Sequence, residues 1–151
     1  MKPFALARVL QLAERQIEKQ AREVKLAHGV WLRARGRQVQ LTALRDAHIA
    51  QLAAELRGGV AADHLLEKSR LQRMRADEMR AAQRDIDEAY RVWQAQLAIW
   101  MSIQKRVRAL QLLEERYQAH AVIQNRRLEQ RQHDELVELM HGRVAPGRRA
   151  H

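Results

Sequence analysis

The chain has no cysteine, only two prolines and few aromatic residues among its 151 residues. The absence of cysteine excludes disulfides and thiolate metal sites. The two prolines, Pro3 and Pro146, lie near the two ends, so nothing between them removes a backbone donor from a helix. Aromatics make up 4% of the chain, which favours a thin seam between helices over a thick globular core. No apolar run approaches the roughly 18 residues that span a bilayer.

The residues that are abundant are Ala, Leu, Gln, Glu, Arg and Lys, a composition typical of long helices or a coiled coil. The N-terminal sequence MKPFALARVLQLAERQ has an arginine within its apolar stretch and no small-residue cleavage site, unlike a signal peptide. We therefore expect a cytoplasmic protein.

The interior of the chain has one evident break, at the adjacent residues Gly58 and Gly59. A helix can end there in a left-handed glycine cap, and Asp63 is suited to cap the start of the next helix. We predict a single coiled-coil domain over residues 1–151. Its parts are helix 1 at about 4–57, a turn at 58–63, helix 2 at about 64–141 and a frayed basic tail at 142–151.

Apolar residues recur at gaps of three and four, the pattern of a heptad seam. The fold predicted is all-α: an antiparallel coiled-coil hairpin of two long helices, the second longer than the first. After Leu41 the series resumes with a slip in phase, at Ile49, Leu52 and Leu56. An alternative register, in which residues 64–85 fold back as a short helix, stays open. The predicted seam contains Leu10, Ile17, Val24, Trp31, Trp93, Leu97, Trp100, Val107, Leu110 and Tyr117.

Helix 2 is expected to outrun its partner. If pairing starts at the turn, helix 1 ends opposite residues 114–118, and about 25 residues of helix 2 then project alone. The apolar series thins in the same place, at NRRLEQRQHDELVELM of residues 125–140. The net charge is +6 in residues 1–57, zero in 58–100 and +4 in 101–151. A hairpin brings the two positive segments to one pole, which would favour an acidic partner or a pore lined by carboxylates.

The sequence has little that suggests catalysis. Its seven histidines include no pair at i,i+4, the spacing by which a helix offers two metal ligands, and we expect them to be solvated. The glycine pair lacks the following Gly-Lys-Ser/Thr of a phosphate loop. Acidic residues alternate with arginine and lysine at helical spacings, which indicates surface ion pairs. We predict a protein that is not an enzyme and has no cofactor or metal.

The three tryptophans have two interpretations. Trp93 and Trp100 are seven residues apart and share a helix face, and Trp31 lies in the first helix's seam, so packing within the seam is favoured. A partly exposed indole would alternatively anchor a partner. Met101 and Leu112, outside the seam, leave room for such a docking face.

Three stretches resemble the flagellar export protein family FliJ: FALARVLQLAERQIEKQAREV, WMSIQKRVRALQLLEERYQ and RLEQRQHDEL, the last at residues 127–136. The resemblance implies a stalk with the antiparallel coiled coil of the rotary ATPase gamma subunit. Such a stalk inserts into the hexameric export ATPase, promotes ring formation and contacts the cytoplasmic domain of the export gate. Handling of export chaperones and a peripheral position at the inner face of the cell membrane are also implied. The YscO-type stalk proteins of virulence type III secretion are built alike, so either system fits.

The resemblance and the exposed polar helix together suggest which residues meet the ATPase ring. The resemblance implies that an aromatic-bearing surface in the middle of the hairpin and near its turn contacts the gate. Here 41–52 has no tyrosine and 65–82 has no aromatic residue, so no gate-contacting residue is assigned. The candidate ring contacts are Arg126, Arg127, Gln130, Arg131, Asp134 and Glu135, with Arg8 and Arg15 as lesser candidates.

A nucleic-acid-binding coiled coil is the alternative from another class. Leucine-zipper factors need a dense basic stretch, whereas the arginines here are interleaved with acidic residues and glutamine, and the longest basic runs are pairs. We expect no specific nucleic-acid binding. A homodimeric scaffold is a third possibility.

Overall fold

The computed structural model describes the backbone of residues 3–59 and 61–149, and the side chains of 3–59 and 61–142. It contains two α-helices, α1 at Ala7–Gly58 and α2 at Ala62–Arg149, and no strand in the described ranges. Strong helix formers dominate both helices, and α1 contains no proline. The all-α prediction is confirmed.

The turn depends on a glycine, as predicted. Gly59 follows the end of α1 and has a φ of 80°, a left-handed conformation that side chains with a Cβ rarely adopt. The predicted cap at Asp63 is wrong: α2 begins at Ala62, and the amide of Leu65 donates to the carbonyl of Ala61 at 3.2 Å. Asp63 lies in the first turn instead, where a carboxylate interacts favourably with the helix dipole.

The C-terminal end of α2 differs from the prediction. The helix continues past His141 to Arg149, so residues 142–149 are helical and not a frayed tail. Gly142 lowers helix stability by about 1 kcal/mol relative to alanine, but a glycine does not by itself end a helix. Ala150 and His151, also assigned to the tail, lie outside the described residues.

By its contacts the chain groups into two compact units, and the single domain stays a prediction. The hairpin unit comprises residues 15–104 and includes the turn. The terminal unit comprises the described parts of residues 1–14 and 105–151. Each unit buries few side chains, and most of them are small. The buried apolar residues are Ala27, Leu41, Ala82, Ile86 and Ala89 in the hairpin unit, and Leu10, Ala13, Val107 and Leu110 in the terminal unit.

In the hairpin unit the seam of α1 continues without the predicted slip in phase. Leu41, His48, Leu52 and Glu55 follow one another at gaps of seven, four and three, and all are buried or half-buried. Ile49 and Leu56, which the predicted slip would place in the seam, are by contrast exposed. The predicted slip is wrong because His48 occupies the seam position. Hydrophobicity favoured the adjacent Ile49 for that position.

The histidines of the hairpin unit are not all solvated, contrary to the prediction. His48 is buried, with 8% of its surface exposed. His28 lies half-buried between two indoles, 5.7 Å from the ring of Trp31 and 4.5 Å from the ring of Trp93. Both occupy the space between helices that apolar residues alone were expected to fill.

The alternative register is excluded by pairing along the hairpin unit. The amide of Gln38 donates to Gln83 at 2.6 Å, so residues in the range 64–85 pair with α1. Further along, Gln20 donates to the side chain of Gln96 at 2.7 Å and to its carbonyl at 2.9 Å. Residues 64–85 therefore belong to one continuous α2.

The tryptophans pack mainly within the seam. The rings of Trp31 and Trp93 are 5.0 Å apart, and Tyr90 meets Trp93 edge-on at 5.9 Å. The guanidinium of Arg35 lies 4.8 Å above the ring of Trp31, a cation–π contact. Both indoles are half-buried. This favours packing over the partner anchor.

The ten predicted seam residues differ in burial. Leu10, Val107 and Leu110 are buried, and the other seven are half-buried. In the terminal unit the rings of Phe4 and Tyr117 are 5.5 Å apart. Two other apolar residues of the predicted series are exposed, Ile49 and Leu56.

An ion-pair cluster in the hairpin unit joins the two helices close to the turn. The ring of His64 lies 3.0 Å from Glu55 Oε2, and Lys68 Nζ lies 3.9 Å from Glu55 Oε1. The hydrogen bond with His64, aided by the charge of Lys68, lowers the pKa of Glu55 below its ordinary 4.5. The ionised carboxylate is thus stabilised in the folded state.

We expect Glu55→Gln to destabilise the protein at about pH 7 but not at about pH 3. A lowered pKa contributes stability above the unfolded-state value, and this contribution is lost as the pH falls through the folded-state pKa. Urea unfolding of both proteins across this range measures the difference. Glu67→Gln, at an exposed glutamate of α2, is the control. A difference that is constant with pH would show that Glu55 acts by packing alone.

Candidate functional site

The terminal unit carries a stretch of α2 in which no described residue is buried or half-buried. From Val122 to Gly142 every side chain is exposed, whereas Tyr117 and Ala121 just before are half-buried. We call residues 122–142 the exposed segment. Its exposure agrees with the predicted overhang. Phe4, near the start of the chain, contacts Tyr117, which lies just before the exposed segment.

The exposed segment stays helical because it extends a helix that is already formed, so it bears no nucleation cost. It is also rich in Leu, Glu, Gln and Arg, which lose little side-chain freedom in a helix. One side-chain pair at i,i+4 adds support: the amide of Gln130 donates to Asp134 at 3.2 Å.

The segment presents a polar face and a second, mixed face. At 100° per residue, Arg127, Arg131 and Asp134 lie within about 60° of one another, and Arg126 and Gln130 lie further round. None of the three arginines forms an ion pair with a described residue, so each guanidinium keeps its donors available to a partner. Glu135 completes the predicted set on this segment.

The two lesser candidates lie elsewhere. Arg8 is an exposed residue of α1 in the terminal unit. Arg15, also exposed, belongs to the hairpin unit. The structure thus brings six of the eight predicted ring contacts together on one stretch of helix.

The charge of the exposed segment differs from the basic pole that was expected. Residues 122–142 contain three arginines and four carboxylates. The arginines come first, at 126–131, and three of the carboxylates follow at 134–138. Further positive charge comes only with residues 143–149, which hold three arginines. The segment therefore has a basic part followed by an acidic part. Such an arrangement can fix the orientation of a partner, whereas a uniformly basic segment would only attract an acidic surface.

Sequence reasoning missed an apolar cluster at the far end of this segment. Leu136, Leu139 and Met140 expose 60, 65 and 69% of their surface, and Val137 exposes 37%. Positions 136, 139 and 140 share one helix face, and this i, i+3, i+4 spacing was the signal that could have found them. They lie on the helix face opposite Arg127 and Arg131, so the segment presents guanidinium donors on one side and apolar groups on the other.

Other kinds of site have little support in the described part of the chain. It holds no group of three or more His, Asp or Glu side chains placed to bind a metal ion. No described helix has a stretch long and apolar enough to cross a membrane.

Comparisons with known proteins give the family of the chain. A solved structure of a YscO homologue from Chlamydia trachomatis, CT670, superposes with a TM-score of 0.63 at 17% identity, covering 93% of this chain and 96% of that one. It shows the same fold. No curated protein matches the sequence. The sequence model of the family described as "Flagellar FliJ protein" matches residues 1–145, and the chain therefore belongs to the flagellar FliJ protein family.

Proposed function

We propose that this protein is a non-enzymatic stalk and assembly factor of the flagellar type III protein export apparatus. Its family is associated with this apparatus. In the proposal the exposed segment inserts into the ring of the hexameric export ATPase and promotes its assembly. The protein also links the ring to the cytoplasmic domain of the export gate, and handling of export chaperones is a further role. Its place is the cytoplasm, at the inner face of the membrane through these partners.

The observation that supports the proposal most is the exposed segment itself. The segment is a continuous helix of twenty-one consecutive exposed residues, 122 to 142, none of which belongs to the buried core. A helix that is mostly polar all round, and that is kept as part of α2, is suited to contacts with another molecule. A ring pore surrounds a helix, so it can contact all faces of the segment.

The chemistry of the segment indicates what the ring would offer in return. Arg126, Arg127 and Arg131 would donate to carboxylates, in the bidentate geometry that a guanidinium favours. Leu136, Leu139 and Met140 would enter an apolar part of the pore. The nucleic-acid alternative gains nothing from the segment, because its carboxylates outnumber its arginines.

The decisive experiment is ATP hydrolysis by the purified export ATPase of the same organism, titrated with this protein at near-physiological salt. We expect stimulation that saturates near one chain per hexamer. Absence of stimulation at every ratio, with an ATPase shown to assemble, would contradict the proposal.

We expect the double change Arg127→Glu and Arg131→Glu to weaken stimulation about tenfold or more. It replaces two donors on one helix face by charges that repel carboxylates, and a single charged hydrogen bond is worth about 1.5–3 kcal/mol. The ATPase titration gives the affinity, and circular dichroism should show unchanged helicity because both side chains are exposed.

The matched control is Arg33→Glu with Arg37→Glu. These arginines are also exposed and four residues apart, but they lie on α1 in the hairpin unit. The charge change is identical, so a general electrostatic effect would weaken both variants equally. Equal weakening would remove the exposed segment from the proposed contact.

A further inference from the structure

A groove lies between α1 and α2 on one flank of the hairpin unit, and the proposed function does not use it. Its volume is about 400 Å³. Three alanines, Ala27, Ala34 and Ala89, form its floor, and all are buried or half-buried. Val30 and Val92 form its apolar walls and expose 48 and 36% of their surface. The groove is thus an apolar surface that this chain leaves uncovered.

The groove exists because the seam is wide at this level. The rings of Trp31 and Trp93 lie 5.0 Å apart and pack on the opposite flank, where His28 and Tyr90 contact Trp93. The separation of two helices depends on the side chains at their contact, and two indoles hold it wide. Alanine side chains are too short to fill the space that remains on the groove flank.

The apolar surface continues along both helices beyond the groove. Leu26 lies one turn before Val30 on α1, and Ile99 lies two turns after Val92 on α2. They expose 64 and 47% of their surface. An exposed apolar series of this kind marks a contact with another molecule.

Two charged residues flank the groove, one from each helix. Asp85 lines it from α2, and Arg37 lies two turns after Val30 on the same face of α1. Gln38 donates to Gln83 across the seam, so the two charges lie near the same level of the hairpin. Both are exposed, and neither forms an ion pair with a described residue.

The two charges decide which partner fits. The other carboxylate of the groove, Glu88, is already engaged by Arg91 of its own helix, at 2.6 Å. A basic partner helix would attract Asp85 but repel Arg37, and an acidic one would do the reverse. A second copy of the chain carries both charges. Turned about a two-fold axis along the hairpin, it lays its α1 over α2 of the first copy, and each Arg37 then meets the Asp85 of the other copy.

We propose that the free protein forms a two-fold dimer through this groove. Val30 of each copy packs against Val92 of the other, so the valines cover both alanine floors. Arg37 of each copy donates to Asp85 of the other, which gives two ion pairs between the chains. The four helices form a bundle in which every neighbouring pair is antiparallel. The groove belongs to the hairpin unit and the exposed segment to the terminal unit, so the dimer stands or fails separately from the stalk proposal.

Sedimentation equilibrium of the full chain at near-physiological salt tests the dimer directly. We expect a mass that rises with concentration from the 17.6 kDa of one chain to twice that value. The mass of one chain at every concentration, up to near-millimolar protein, would overturn the proposal. So would a mass that continues to rise beyond two chains, since a two-fold interface closes on itself.

Two charge variants test which residues meet. Asp85→Arg and Arg37→Asp should each weaken self-association about a hundredfold, because each dimer holds the ion pair twice and each pair is worth about tenfold. An equal mixture of the two variants should form a dimer again, since opposite charges then face each other at both contacts. Lys25→Asp makes the same change of charge at an exposed residue on the other flank of α1, and it should leave self-association unchanged. Monomers in the mixture, or equal weakening by Lys25→Asp, would overturn the proposed pairing.

Introduced thiols test the direction of the two-fold axis. The chain has no cysteine, so single thiols can be placed without competition from native ones. A mixture of Val30→Cys and Val92→Cys chains should cross-link under mild oxidation, whereas Val30→Cys alone should not. Cross-linking of Val30→Cys with itself alone would place α1 over α1 and overturn the arrangement. The mass of the unaltered chain decides the dimer even if a variant fails to fold.

Discussion

Replacement of Trp93 by alanine is expected to lower the free energy of unfolding by about 3 kcal/mol, because loss of a large aromatic side chain from a packed site costs about that much. The ring of Trp93 contacts three others, at 4.5 Å (His28), 5.0 Å (Trp31) and 5.9 Å (Tyr90). The seam around it is otherwise filled by small residues such as Ala27 and Ala89.

Thermal unfolding followed by circular dichroism measures this effect. For a chain of this size, we expect a fall in Tm of roughly 6–12 °C. Leu66→Ala is the control, since it removes a large apolar side chain that is 64% exposed, and it should change stability by less than about 1 kcal/mol. If both variants lose the same stability, the aromatic cluster is not what holds the hairpin unit together.

Truncation after Ala121 is expected to abolish stimulation of the export ATPase and to leave the Tm nearly unchanged. Every described residue that this removes, in 122–142, is exposed, so no residue of the buried core is lost. The packed residues of the terminal unit, such as Leu10, Val107 and Leu110, are all retained.

Two measurements on the same truncated protein separate function from folding. Thermal unfolding should give a Tm within about 2 °C of the full chain, because surface residues contribute little to stability. The ATPase titration should show no stimulation at any ratio. A truncated protein that still stimulates would place the ring contact outside the exposed segment, whereas a large fall in Tm would show that the segment packs in solution.

The main features of the fold were predictable because they depend on local signals. The turn follows from the pair Gly58 and Gly59, the only adjacent glycines of the chain. The exposure of residues 122–142 follows from the thinning of the apolar series after Tyr117. Both are properties of single stretches, and neither requires knowledge of what lies opposite.

The features that were missed depend on what lies opposite. His48 is a seam residue because α2 covers it, and hydrophobicity alone points instead to Ile49. The seam also uses polar side chains, with Gln20 bonded to Gln96. In the exposed segment, Leu136, Leu139 and Met140 were not predicted as partner contacts, because apolar residues are ordinarily assigned to a core.

The pairs that join α1 to α2 in the hairpin unit suggest the order in which they form during folding. Glu55 and His64 are 9 residues apart in sequence, Gln38 and Gln83 are 45 apart, and Gln20 and Gln96 are 76 apart. The entropy lost in closing a loop grows with its length, so the shortest closure is the easiest to make first. Once the turn at Gly59 has formed, each further pair has only a small loop left to close, because the previous pair already holds the two helices together. Folding of this unit should therefore proceed as a zipper from the turn outwards, with a glycine at its nucleus.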